Sequence, residues 1–133
     1  MREEYATLVE RVLEYTDMKV GLIGVGKMGS GIGMNILNAG HDLVAHDIRV
    51  ERVEPLVEAG ASQANTPREL AQSCEVVFTS LPGPQNVEEV ALGDNGLLEG
   101  MEAGKTYFDL TTNSPSLVRR IHKVFLEHGV DML

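Results

Sequence analysis

A doubly wound parallel sheet, with helices on both faces, is the fold class this sequence predicts, and three observations predict it. Short apolar runs bounded by glycine or proline alternate with stretches of helical periodicity from residue 19 onward. The connections between them are only a few residues long. The first run, Lys19-Val-Gly-Leu-Ile-Gly24, passes straight into a glycine-rich turn and then a helical pattern. Right-handed crossovers then give an expected strand order of 3-2-1-4-5-6.

The elements follow in order. Tyr5, Leu8, Val9, Val12 and Leu13 recur at helical spacing, so residues 1–16 read as an amphipathic helix. Residues 19–24 read as a buried strand and 27–39 as a helix stopped by Gly40. Asp42-Leu-Val-Ala-His-Asp47 is a second strand, and Val50 to Ala59 a helix closed by Gly60. A weak strand at 61–64 precedes a helix opened by Thr66-Pro67, a capping residue followed by proline in the first turn. Glu75 to Ser80 is a strand, Leu81-Pro-Gly-Pro84 a rigid loop, Asn86 to Leu92 a short helix and Gly93-Asp-Asn-Gly96 a turn. Lys105 to Leu110 is a strand, 111–115 a loop with capping chemistry, and Ser116 to His128 a helix ended by Gly129. Val130 to Leu133 begins a further strand, and the stop after it reads as a piece of a longer protein.

Composition narrows the function classes. The 133 residues amount to one domain, and 43% hydrophobic content supplies a core without staples. Twenty acidic residues against eleven basic ones leave a charge of −9, which argues against nucleic acid or an anionic membrane as partner. The lone Cys74 excludes an intrachain disulfide and a cysteine-based zinc site, and fits a reducing cytoplasm. No apolar run approaches the ~20 residues of a membrane span. The start, Met1-Arg-Glu-Glu, is too acidic for a signal peptide. His41, His46, His122 and His128 show no metal-ligand spacing, so no metal is expected.

The chemistry concentrates in Gly24-Val-Gly-Lys-Met-Gly29, a G-x-G-x-x-G between strand and helix. Gly24 permits the tight turn, Gly26 lets backbone approach a pyrophosphate, and Gly29 allows close helix–strand packing. The free N–H groups and positive dipole end of the helix then face phosphate. Asp47 follows Gly29 by 18 residues, at the end of the second strand. A carboxylate there accepts ribose hydroxyls and repels a 2′-phosphate, which favours NAD(H) over NADP(H). Arg49 keeps NADP(H) open, because a guanidinium pairs with phosphate. Gly31 and Gly33 lie inside the same helix, at a cost of ~1 kcal/mol each relative to alanine. Either they serve close packing or they are merely tolerated. Thr111, Thr112 and Asn113 offer polar groups to a nicotinamide carboxamide or substrate, or else cap the last helix with Ser114. Met28 and Met34 read as packing residues, Met28 also within reach of a cofactor.

Five motifs in order carry a resemblance. Gly21-Leu-Ile-Gly-Val-Gly-Lys-Met-Gly29, Asn35-Ile-Leu-Asn-Ala-Gly-His41, Leu81-Pro82, Val90-Ala-Leu-Gly-Asp-Asn-Gly96 and Asp109-Leu-Thr-Thr112 together resemble the N-terminal half of the β-hydroxyacid dehydrogenase family. The likeness covers residues 19–133 and is greatest to 2-hydroxy-3-oxopropionate reductases and 3-hydroxyisobutyrate dehydrogenases. It implies a Rossmann fold whose NAD site is lined by Gly24, Val25, Gly26, Lys27, Met28, Leu81, Pro82, Asn86 and Thr112, with Thr111 near the substrate. The implied substrate is a small hydroxy acid, reached through a second domain.

The departures are specific. Residues 1–18 precede the family's usual start. The Gly-Gly substrate motif, the catalytic lysine in its G-x-x-x-N-x-x-K setting and the helical second domain have no match here. Lys19, Lys27, Lys105 and Lys123 do not fit that lysine pattern, so no catalytic residue is assigned in this chain. Two alternatives stand beside the dehydrogenase reading. One is a non-catalytic nucleotide-sensing or assembly module, in which residues 1–16 cover apolar surface or pair two copies into a homo-oligomer. The other is a relative of NADP-dependent imine reductases.

Overall fold

The computed structural model describes residues 18–133. The helix expected over residues 1–16 lies outside them. Six parallel strands form one sheet in the order β3-β2-β1-β4-β5-β6, as the crossover rule requires. They are β1 (Lys19–Ile23), β2 (Asp42–His46), β3 (Ser62–Gln63), β4 (Val76–Thr79), β5 (Thr106–Asp109) and β6 (Asp131–Met132). The connecting helices are α1 (Lys27–Asn38), α2 (Glu54–Glu58), α3 (Pro67–Ser73), α4 (Pro84–Leu92), α5 (Leu97–Gly100) and α6 (Pro115–Glu127).

Central strands of such a sheet are covered on both sides, which is why β1 reads as an unbroken apolar run. Alternate residues feed two cores. Leu22, Leu43 and Ala45 pack with Val53, Leu56 and Ala61 and the inner side of α1. Ile23, Val44, Val77 and Tyr107 pack with Leu70, Val87, Ile121 and Phe125 on the opposite face. Register lines Leu22 with Phe78 and Phe78 with Phe108, whose rings stack at 5.0 Å.

Three elements differ from the sequence reading. The helix expected over Val50–Ala59 is split into a 3-10 turn, Val50–Arg52, and α2. Pro55 has no N–H to give the Glu51 carbonyl, so one continuous helix cannot cross it. Pro84 opens α4 instead of closing the loop before it, the first-turn position that tolerates proline. Helix α5 was not anticipated: four residues are too few to show periodicity, and burial of Leu97 holds it in place.

Candidate functional site

Where β1 and β4 part to opposite sides of the sheet, their C-terminal ends open a cleft of about 480 Å³. This is the switch point where open α/β sheets hold ligands. The loop between β1 and α1 forms one wall. Gly24 has φ +96°, and a side chain there would overlap the Ser80 carbonyl oxygen, so glycine is required on both counts. A methyl at Gly29 would overlap the Gly24 carbonyl oxygen. Gly26 is different: an added Cβ meets nothing within 4 Å and would stand in the cleft itself. The glycine there keeps open a cradle that any side chain would fill.

Backbone donors in this loop divide into two groups. Gly24 N–H donates to the His46 carbonyl at 3.0 Å, and Val25 N–H donates to Asp47 Oδ2 at 2.7 Å. The first bond of α1 is Ser30 N–H to the Gly26 carbonyl. Between them, the N–H groups of Gly26, Lys27, Met28 and Gly29 have no acceptor among the described residues. No acidic side chain occupies the first turn of α1, and Lys27 adds a cation to the positive dipole end. Such a terminus attracts an anion of phosphate geometry.

Asp47, bonded to the glycine loop through Val25, also lines the cleft. It is buried at 8% exposure, with Oδ1 accepting the Arg49 N–H at 2.8 Å. Each oxygen keeps a lone pair for a ligand hydroxyl. The cleft is also lined by His46, Ile48, Arg52, Pro67, Glu89, Val90 and Asp94, none of them singled out from sequence for this cleft.

The third loop is set by a polar relay at the ends of β4 and β5. Thr79 Oγ1 donates to Asp109 Oδ1 at 2.9 Å, so the Tyr107 hydroxyl, 2.7 Å away, must donate to Thr79. Burial pushes the Tyr107 hydroxyl well above its ordinary pKa, the Thr79 bond acting weakly against it. Asp109 Oδ1 also accepts the Thr111 N–H, and Oδ2 accepts Asn113 Nδ2. Thr111 Oγ1 in turn accepts the Leu81 N–H at 2.9 Å. Leu81 lies on the cleft wall, so Asp109 fixes that wall through Thr111.

Of the residues the sequence marked, Gly24, Gly26, Lys27, Met28, Gly29, Asp47, Leu81, Pro82 and Asn86 line this one cleft. Val25 is buried behind it, joined to Asp47. Thr111 stands behind Leu81, and Thr112 is exposed beyond the cleft wall. Ser114 supplies the cap of α6, accepting the Leu117 N–H. The two helix glycines separate: Gly33 sits against Leu56 and Leu22, while Gly31 faces open space. Lys105 is engaged elsewhere, donating to the Ala71 and Gln72 carbonyls at the end of α3. Among the described residues there is no His, Cys, Asp and Glu cluster fit for a metal. No described helix is long and apolar enough to cross a membrane.

Residues 19–133 match a family model described as the NAD binding domain of 6-phosphogluconate dehydrogenase. A probable mitochondrial 3-hydroxyisobutyrate dehydrogenase of Dictyostelium discoideum is 33% identical over 86% of the chain and 36% of its own length. The human cytokine-like nuclear factor N-PAC is 32% identical over 93% of the chain, which spans 22% of that protein. A solved structure, Psf3 in complex with NADP+ and 2-OPP, superposes with a TM-score of 0.80 at 30% identity, over 85% of this chain and 40% of that one. The chain thus spans well under half the length of these relatives.

Proposed function

Because the chain belongs to the family of 6-phosphogluconate dehydrogenase NAD binding domains, we propose that it is the NAD(H)-holding unit of a hydroxy acid oxidoreductase. The reaction moves hydride between nicotinamide and a small 3-hydroxy acid or its semialdehyde. One observation carries the reading: four unpartnered N–H groups, on Gly26 to Gly29, and the Asp47 carboxylate belong to residues that line one cleft. Those are the two partners that a pyrophosphate and its adenosine ribose require. The open cradle at Gly26 fits the group.

The division of labour follows. Gly26 to Gly29 bind the diphosphate, Lys27 adds charge at its rim, and Asp47 accepts the ribose hydroxyls. Leu81, Pro82 and Asn86 line the path toward nicotinamide, with Thr112 at its far end and Thr111 beside the substrate. Bound nicotinamide supplies the hydride donor or acceptor. Proton movement at the substrate hydroxyl needs a positioned acid/base. Lys19 is at the far end of β1, Lys105 is tied to α3, and Lys123 is exposed on the outer face of α6. None is placed for that role, so the chain by itself binds cofactor without efficient turnover. NAD(H) is preferred because Asp47 would face a 2′-phosphate with like charge. The NADP+ of the Psf3 structure belongs to that protein.

A second reading, a nucleotide-holding module without chemistry, is favoured by the 32% identity to a protein named as a nuclear factor. Titration with NADH and NADPH, followed by an assay with tartronate semialdehyde, separates the two. Binding with no turnover, even with the substrate domain of a 3-hydroxyisobutyrate dehydrogenase added, favours the module. Turnover by the isolated chain at enzymatic rates would overturn the division of labour.

A further inference from the structure

Ile23, Pro67 and Val90 give the same cleft apolar lining suited to a flat ring. His46, one residue before the ribose-binding acid, lies in its wall and is half-buried. Its Nδ1 is 2.9 Å from the Ala64 carbonyl oxygen. A carbonyl only accepts, so the proton of the neutral ring sits on Nδ1. The opposite nitrogen, Nε2, is then a lone-pair acceptor. It makes no hydrogen bond among the described residues, and it is not a buried atom. The Ala64 carbonyl, one residue after β3, thus fixes both the tautomer and the orientation of an acceptor on the cleft wall.

We infer that His46 is a base-specificity residue: its Nε2 accepts the exocyclic amine of adenine, so the cleft selects adenine over a 6-oxopurine. The inference rests on the dinucleotide reading above, which puts the ribose at Asp47 and the base against the apolar lining of the same cleft. A 6-oxopurine presents a carbonyl at the same position. Two acceptors would then face each other, and both would lose their water. Asp47, Ser80, Asn86, Glu89 and Asp94 also carry acceptor oxygens among the residues lining the cleft.

The test compares NAD+ with its hypoxanthine analogue by calorimetric titration of the whole chain at pH 8. The wild type should bind the adenine form about tenfold more tightly, the size of one lost hydrogen bond with an unpaired acceptor. His46→Phe should bring the two affinities together, and Glu89→Gln should leave the ratio unchanged. Each ratio is taken within one protein, so a general loss of stability cancels. Should His46→Phe fail to fold, the wild-type and Glu89→Gln ratios decide. Equal wild-type affinities, or a ratio abolished by Glu89→Gln, would overturn the role of His46 while leaving the dinucleotide site standing. Failure of folded wild type to bind either analogue would overturn the site itself.

Discussion

The carboxylate of Asp47 accepts the backbone N–H of Val25 at 2.7 Å, joining the end of β2 to the middle of the glycine loop. One side chain therefore shapes the phosphate cradle and offers oxygens to the neighbouring ribose. Asp47→Asn keeps one acceptor but loses the charge, so it should cost about 1 kcal/mol in stability. It should also weaken NADH, and narrow the gap between NADH and NADPH about tenfold. Chemical denaturation and paired titrations check the two effects separately. An unchanged cofactor ratio would leave Asp47 with a purely structural role.

Gly26→Ala should separate binding from folding. The added methyl meets no protein atom within 4 Å, and φ is −81°, which alanine adopts without strain. Stability should change by less than about 1 kcal/mol. NADH affinity should fall by about tenfold or more, since the methyl occupies the space of the diphosphate. Fluorescence titration of NADH alongside a denaturation curve reads both.

The remaining helix glycines should diverge in thermal unfolding. Gly31→Ala, in open space, should stabilise α1 by about 0.5–1 kcal/mol. Gly29→Ala pushes a methyl into backbone that cannot yield, and should cost about 1–3 kcal/mol or more. Equal effects at both positions would contradict the packing described.

Thr111→Val removes the acceptor of the Leu81 N–H. The loss should be about 1–2 kcal/mol, with the Leu81 wall released from Asp109. A dinucleotide should then lose more affinity than ADP-ribose, which lacks the nicotinamide end. Equal losses would place Thr111 outside cofactor positioning.

Tyr107 predicts an alkaline limit. Its hydroxyl pKa is raised by burial, so the folded protein holds a proton that the unfolded chain gives up above the ordinary value of 10.0. Stability from this group is intact below that pH and falls as pH rises beyond it, by about 1.4 kcal/mol per pH unit. Cys74, raised by burial from 9.0, begins a similar decline somewhat earlier. Tyr107→Phe should flatten the steeper part of the curve. Denaturant midpoints between pH 8 and 11 would reveal an unaltered slope if Tyr107 were not responsible.

Sequence by itself determined the strands, their order and the glycine loop. These depend on local patterns: Lys19–Gly24 is apolar enough to be buried on both sides, and Gly24 and Gly40 stand where the backbone turns left-handed. Asp47 was legible for a similar reason, because a fixed βαβ spacing brings it to the loop. The rest of the cleft lining was not legible. His46, Arg52, Pro67 and Glu89 come from four separate segments, and no periodicity links them before the sheet closes. Nor could sequence tell Gly33 from Gly31, because only the approach of Leu56 distinguishes a required glycine from a tolerated one. The tautomer of His46 was decided in the same way, by a carbonyl 18 residues away that only the pairing of β2 with β3 brings within reach.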